Sequence, residues 1–174
     1  MGDIRLFVSH SHDDKEIATA LVCVVEAMMV PRERILCTSH NNPKYREPKG
    51  VDVSRHLRDH LTQSSCVLCL LTPHSLQSPW CMFELGGAWV LAKRTFPLLA
   101  GGLTEEDLPA AMKGTEAAQL TDAGETRRAL ANVRQALGWD ERVKGSAEME
   151  LDALVNLVRG SHWNRLLKPL SGKV

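Results

Sequence analysis

The chain has 174 residues, of which 44% are hydrophobic and 24% charged, and its 21 Lys and Arg residues balance 21 Asp and Glu residues. This length and composition are typical of one soluble globular domain that buries about 70% of its unfolded surface. Zero net charge argues against a nucleic acid or an anionic membrane as the main partner. No apolar run approaches the roughly 18 residues that span a bilayer, and no signal-peptide pattern is present, so the expected compartment is the cytoplasm.

The first predicted strand is the apolar run at residues 4–8, which ends at a polar loop, Ser9–Asp14. Asp13 stands where a side chain can cap the helix that follows. The apolar residues of that helix recur at helical spacing until Pro31, and they are Ile17, Leu21, Val24, Val25 and Met28. The segment therefore predicts a strand, a polar turn and an amphipathic helix.

The same alternation continues in the next 40 residues. Residues 34–38 predict a second strand, and Ser39–Gly50 is a polar stretch broken by prolines, which predicts a long exposed loop. Apolar residues at helical spacing follow between positions 53 and 61, and the continuous apolar run Cys66–Leu71 predicts a strand that is buried on both faces.

The five cysteines are an odd number, each within or beside an apolar run, and they are Cys23, Cys37, Cys66, Cys69 and Cys81. This pattern indicates buried reduced thiols rather than a disulfide framework. Cys66 and Cys69 form a C-x-x-C inside the predicted third strand. Because residues three apart in a strand point to opposite faces, we interpret this motif as accidental.

A carboxylate on an apolar helix face is the most informative feature of the chain. Ser78 and Pro79 suit the N-cap and first position of a helix. Counting from there, one helical face carries Trp80, Phe83, Glu84, Gly87 and Leu91. Burying an unpaired carboxylate costs roughly 3 kcal/mol or more, so Glu84 requires a partner or a cleft. It is either a structural acid or a catalytic or ligand-binding one.

The C-terminal third continues with shorter elements. A strand is predicted near residues 96–99, a brief apolar run spans residues 117–120, and a helix is predicted over residues 125–137. A last amphipathic helix begins at Ser146 and ends at Gly160. We expect a domain at residues 1–140 and a helical extension, or a linker to a further domain, at residues 141–174.

Alternating strands and helices predict an α/β fold, a parallel sheet with helices on both faces. Ligands bind such sheets beyond the carboxyl ends of the strands. Three predicted loops follow strands and share this rim: Ser9–Asp14, Ser39–Gly50 and the segment from Pro73 to Trp80. Glu84 is expected just beneath it.

Two other chemistries can be read from the residues. His10 and His12 form an H-x-H at a strand end, and His56 and His60 have the i, i+4 spacing of zinc ligands on a helix. Neither motif carries the additional ligands that a metallohydrolase requires, so we expect no metal. Ser9 precedes a histidine and Cys81 is a thiol, but neither lies in a G-x-S-x-G motif or beside an evident base.

Three motifs in this order resemble the Toll/interleukin-1 receptor (TIR) domain: FVSHSHDD, ILCTS before the long loop, and LLTPHSLQSPWCMFELGGAW. The resemblance covers roughly residues 3–137. It implies a flavodoxin-like five-stranded parallel sheet. It also implies cytoplasmic immune signalling or anti-phage defence, as in bacterial TIR proteins, with head-to-tail self-association completing the active site.

Some TIR domains only assemble, and others cleave NAD⁺ between nicotinamide and ribose. The enzymatic members carry a glutamate four residues after a tryptophan, which Trp80 and Glu84 match. The resemblance implies catalysis by Glu84, with NAD⁺ as substrate and no separate cofactor. It also implies assembly through the loop that ends at Gly50 and substrate contacts at Ser9, His10, Ser11, His12, Ser39 and Trp80.

The chemistry of NAD⁺ explains why one acid is sufficient. Glycosidases need a second carboxyl group to protonate a poor leaving group. Nicotinamide leaves NAD⁺ as a neutral base, so a single carboxylate that stabilises the oxocarbenium-like ribose is enough. The alternatives that stay open are a non-enzymatic TIR–TIR interaction module and, for the enzyme, hydrolysis or cyclisation of the ribosyl product.

Overall fold

The computed structural model describes residues 6–37, 53–139 and 146–161, and of residues 53–57 and 146 only the backbone. The strands are β1 (Leu6–Ser9), β2 (Ile35–Cys37), β3 (Cys66–Leu71), β4 (Arg94–Leu99) and β5 (Ala118–Gln119). The helices are α1 (Lys15–Ala27), α2 (Val53–Gln63), α3 (Pro73–Gln77), α4 (Pro79–Val90), α5 (Ala123–Ala136) and α6 (Ser146–Gly160). The predicted assembly loop, with Ser39 and Gly50, lies outside the described residues.

The five strands form one parallel sheet in the order β2-β1-β3-β4-β5. Chain order reverses between β1 and β3, so this sheet has a switch point there. Ser9, the last residue of β1, pairs in register with Cys69 of β3. The predicted flavodoxin-like parallel sheet is confirmed. The loops that follow β1 and β3 therefore lie side by side at the carboxyl edge.

Helices cover both faces of the sheet, because successive strand residues point to opposite sides. One core cluster combines Leu6, Val8, Cys66 and Leu68 with residues of α1, α5 and α6. The other combines Phe7, Val67 and Cys69 with Leu61 of α2 and with Leu85 and Ala88 of α4. Cys66 and Cys69 belong to different clusters, so the interpretation of the C-x-x-C as accidental is confirmed, and both thiols are free.

The start of α1 differs from the prediction. Ser11, not Asp13, caps the turn after β1: its side chain accepts the backbone N–H of Asp13 at 3.4 Å and begins a short 3-10 turn, His12–Asp14. Asp14 occupies the N-cap position of α1 but makes no capping bond. The prediction that Asp13 caps α1 is wrong, because the intervening turn displaces the helix start by one residue.

Helix α4 begins as predicted, with Ser78 accepting the backbone N–H of Cys81 at 3.3 Å and Pro79 at the first position. Its inward face carries Cys81, Glu84, Leu85 and Ala88. Trp80, Phe83 and Leu91 are instead 41%, 60% and 39% exposed. The predicted apolar stripe of Trp80, Phe83 and Leu91 is therefore not a buried face of α4. The carboxylate faces the protein interior, and the large apolar groups face outward.

Helix α6 packs against α1 and α5, and its residues Leu151, Leu154 and Val155 belong to the core cluster that α1 lines. The helical extension is thus continuous with the core of the domain. Among the described residues, none of the helices combines the length and the apolar character that crossing a bilayer requires.

Candidate active site

The candidate active site is centred on the carboxylate of Glu84, which is 2% exposed. Ser9 Oγ, at the end of β1, donates a hydrogen bond to Glu84 Oε2 at 2.5 Å across 75 residues of sequence. The end of β1 and helix α4, which we expect to be neighbours, are therefore in direct contact. It forms because β1 and β3 are adjacent, which places Ser9 beside the first turns of α4.

The environment of Glu84 holds its proton unusually tightly. Burial raises the pKa of this carboxyl from 4.5 to about 7, and hydrogen bonds from the side chains of Ser9 and Trp80 oppose the rise. Burial dominates because the charged form loses more solvation than two donors restore. Near neutral pH the acid therefore changes between its charged and neutral forms, as catalytic acids often do.

Trp80 connects the buried acid to the surface. It lies one helical turn before Glu84, 41% of its surface is exposed, and its side chain lowers the pKa of the carboxyl in opposition to burial. Its ring stacks on Phe83 with centroids 6.0 Å apart and an interplanar angle of 25°. The indole N–H is the only hydrogen-bond donor of this side chain.

The remaining predicted residues of the first loop have separate environments. His10 is 7% exposed; its Nδ1 lies 3.1 Å from the carbonyl of Val8, and both ring nitrogens lie 3.9 Å from Cys37 Sγ. Ser11 caps the 3-10 turn, whereas His12 is exposed. Of the predicted first-loop residues, Ser9 contacts the carboxylate of Glu84 directly.

Sequence reasoning missed a second buried carboxylate beside this site. Asp14 is 3% exposed and accepts hydrogen bonds from Thr72 Oγ1 at 2.5 Å and His74 Nδ1 at 2.7 Å. Both donors follow β3, in the segment that leads to α4. The sequence signal for this second carboxylate is the pair Asp13 and Asp14 after β1, because a helix N-cap requires only one aspartate.

The thiols do not favour a cysteine hydrolase. Burial raises the pKa of Cys81, with Glu84 and Asp14 adding to the rise, and burial raises the pKa of Cys69 well above its usual value. Both groups are therefore neutral and weakly nucleophilic at pH 7. Within the described ranges, with the side chain of His56 outside them, no three His, Cys, Asp or Glu side chains are grouped as metal ligands.

A groove of about 930 Å³ lies elsewhere, between β4, β5 and α5. Arg94, Phe96 and Arg128 are among its lining residues, and none of the Glu84 cluster lines it. Groove volume alone therefore does not identify the chemistry. The buried acid, with its raised pKa and its hydrogen bond from Ser9, is a better marker of a candidate site.

The model of the TIR domain family matches residues 6–137, which is most of the chain. The chain belongs to the TIR family. The predicted family is therefore confirmed, and the five-stranded parallel sheet described above is the sheet of a TIR domain.

A curated bacterial protein shares part of its sequence with this TIR domain. The uncharacterized protein YddK of Bacillus subtilis (strain 168) is 29% identical over 102 residues, which are 59% of this chain and 38% of that protein. The chain thus matches less than half the length of this curated relative.

Two solved structures share the fold of this TIR domain. The TIR domain of the Toll-related receptor TRR-2 from Hydra magnipapillata superposes with a TM-score of 0.59 at 13% identity, covering 74% of this chain and 97% of that one. A metazoan TIR-STING receptor from C. gigas, solved with 2',3'-cGAMP, gives a TM-score of 0.55 at 24% identity, covering 76% of this chain and 38% of that one.

Proposed function

We propose that this TIR domain cleaves NAD⁺ between nicotinamide and ribose, with Glu84 as the catalytic carboxylate. The observation that carries the proposal is the buried Glu84 side chain, which accepts a hydrogen bond from Ser9 at the carboxyl edge of the sheet. A merely structural acid is usually paired with a cation or several backbone N–H groups. Among the residues that the structure describes, Glu84 instead accepts a hydrogen bond from the neutral hydroxyl of Ser9. This bond orients the carboxylate without neutralising its charge.

A carboxylate that is held by a neutral hydroxyl and keeps its negative charge suits this reaction. As the bond to nicotinamide breaks, positive charge develops on the ribose, and a fixed negative charge in a site of low dielectric stabilises it. Nicotinamide leaves as a neutral base, so no second acid is needed. A carboxylate has about four acceptor positions, and the hydrogen bond from Ser9 leaves capacity for the ribose hydroxyls.

Access to the site requires movement near Trp80. Glu84 is 2% exposed, whereas Trp80, one helical turn away, is 41% exposed, and we propose that the substrate displaces that ring to reach the acid. We propose that association with a second TIR domain, through the loop Ser39–Gly50, completes the closed site and excludes water. The biological setting we propose is cytoplasmic immune signalling in defence against phage.

A non-enzymatic interaction module is the second candidate. The observation that favours it is the outward face of α4, where Phe83, Trp89 and Val90 are 60%, 65% and 74% exposed. From Pro79 to Ala92 the only charged residue is the buried Glu84. Exposed apolar patches of this kind are typical of protein interfaces.

The two candidates differ in their products. The purified protein is incubated with NAD⁺ at several protein concentrations, and the release of nicotinamide is followed by chromatography. We expect nicotinamide together with ADP-ribose or its cyclic form, and the second product distinguishes hydrolysis from cyclisation. Glu84→Gln should reduce the rate by roughly 10²-fold or more.

The matched control is Glu150→Gln, the same substitution at an exposed position of α6. This variant should retain wild-type turnover. A folded wild-type protein that releases no nicotinamide at any concentration, yet self-associates, favours the interaction module. Wild-type turnover by folded Glu84→Gln removes the proposed mechanism.

A further inference from the structure

The buried carboxylate of Asp14 forms a cluster with Thr72 and His74 instead of capping a helix. Aspartate at an N-cap normally binds the first N–H groups of its helix. The Asp14 side chain makes no such bond in α1 and is 1% exposed, whereas that of His74 is 26% exposed. Its carboxylate instead cross-links the segment after β1 to the segment after β3.

The donors of this cluster are themselves fixed. Thr72 caps α3: its Oγ1 accepts the backbone N–H of Ser75 at 3.0 Å, and its own N–H donates to Ser75 Oγ at 2.8 Å. His74 lies in the first turn of the same helix. The cross-link therefore joins Asp14 to a rigid turn rather than to a flexible side chain.

Two cross-links hold the same loop at its two ends. Ser9 bonds Glu84 at the start of the loop, and Asp14 bonds Thr72 and His74 at its end. The two cross-links lie at the same edge of the sheet, because Ser9 pairs in register with Cys69 of β3, and Thr72 and His74 follow that strand. Residues 10–13 lie between the two cross-links, beside the candidate active site.

We propose that Asp14 and His74 are positioning residues that hold the loop at residues 10–13 against the Glu84 site and thereby set the affinity for the substrate. This inference rests on the proposed NAD⁺ cleavage. Ser9 is held independently by its pairing in β1 and by Glu84, so the bond-breaking machinery stays in place when the Asp14 cross-link is lost. The expected signature is a change in KM with little change in kcat.

The test compares His74→Ala with His74→Asn. Alanine removes the donor to Asp14, and we expect KM for NAD⁺ to rise by roughly tenfold with kcat within about twofold of wild type. The side-chain amide of asparagine can place a donor near the position of Nδ1, so His74→Asn should restore most of the lost affinity. Thr19→Val, which removes a surface hydroxyl bond on α1, is a control that should leave KM unchanged.

A second measurement is independent of turnover. Hydrogen–deuterium exchange at the amides of residues 10–13 should accelerate in His74→Ala and return toward wild-type rates in His74→Asn. If His74→Ala does not fold, Asp14→Asn replaces it, because the amide oxygen can still accept from Thr72 while the charge is lost.

The outcomes separate this inference from the proposed function. If wild-type protein releases no nicotinamide, the proposed function fails, and the exchange measurement alone decides whether the cross-link holds the loop. Unchanged exchange in His74→Ala overturns the inference. Where the wild type is active, a fall in kcat with unchanged KM, or no rescue by His74→Asn, overturns it too.

Discussion

Replacing Ser9 with alanine tests the electrostatics of the site most directly. Ser9→Ala deletes the hydroxyl that donates to Glu84 Oε2 at 2.5 Å and leaves the buried carboxylate with one fewer donor. A hydrogen bond to a charged group contributes roughly 1.5–3 kcal/mol, and 1.36 kcal/mol corresponds to one pH unit. The pKa of Glu84, about 7 in the wild type, should therefore rise by roughly one to two pH units.

The expected effect on activity follows from the ionised fraction. At pH 7 about half of the wild-type acid is ionised, against roughly 1–10% in Ser9→Ala, so kcat/KM should fall by roughly 5- to 50-fold. Because the ionised form is the active one, activity rises with pH through the pKa in both proteins. At pH 9 the variant should come within about twofold of the wild type if Ser9 acts only through this pKa.

The assay is the initial rate of nicotinamide release between pH 5.5 and 9.5, analysed as kcat/KM, which reports ionisation of the free enzyme. A carbon-13 NMR titration of the Glu84 carboxyl checks the assignment. Ser161→Ala, which removes a hydroxyl bonded to the carbonyl of Leu157 on α6, is the matched control. A Ser9→Ala profile with an unchanged midpoint would refute the reasoning, even if the rate fell at every pH.

Three further predictions concern stability and assembly. Burial raises the pKa of Glu84, so ionising this acid destabilises the folded state as pH rises from 4.5 through about 7. In urea melts at pH 8, Glu84→Gln should therefore have a free energy of unfolding roughly 1–3 kcal/mol above that of the wild type, and the difference should be smaller at pH 5. Gly86→Ala should stabilise α4 by roughly 0.5–1 kcal/mol, because the new Cβ meets nothing within 4 Å. Gly87→Ala should gain less stability, because its Cβ would lie 3.0 Å from Leu61, and equal shifts in melting temperature would contradict this. Specific activity should rise with protein concentration and fall when a bulky residue replaces Gly50; constant activity per molecule on dilution, in a sample shown to be monomeric, would overturn the assembly proposal.

Local pattern predicted most of the architecture. The continuous apolar run Cys66–Leu71 is a strand with all six residues buried, and Ser78 and Pro79 begin α4 as their capping chemistry indicates. These features depend on near neighbours in sequence, where periodicity and capping preferences act directly. The short helix α3 was not predicted, because five residues are too few to show a helical period.

The site was only partly predictable. The sequence marked Glu84 as anomalous, and the rule for parallel sheets placed the Ser9 loop near it. The sequence did not show which way the acid faces, because Trp80 and Glu84 lie one turn apart at the boundary between the outward and inward faces of α4. Helical spacing specifies relative angles around the axis, and packing against the sheet decides which angle is buried.

The sequence by itself determined the alternation of strands and helices, the family and the identity of the unusual acid. Tertiary structure alone decided that Ser9 bonds Glu84 and that Asp14 bonds Thr72 and His74, contacts that join residues 75, 58 and 60 positions apart. Such contacts depend on which strands are neighbours in the sheet. Any serine or aspartate in the sequence has the same hydrogen-bonding capacity. The parallel pairing of β1 with β3 is what selects these partners.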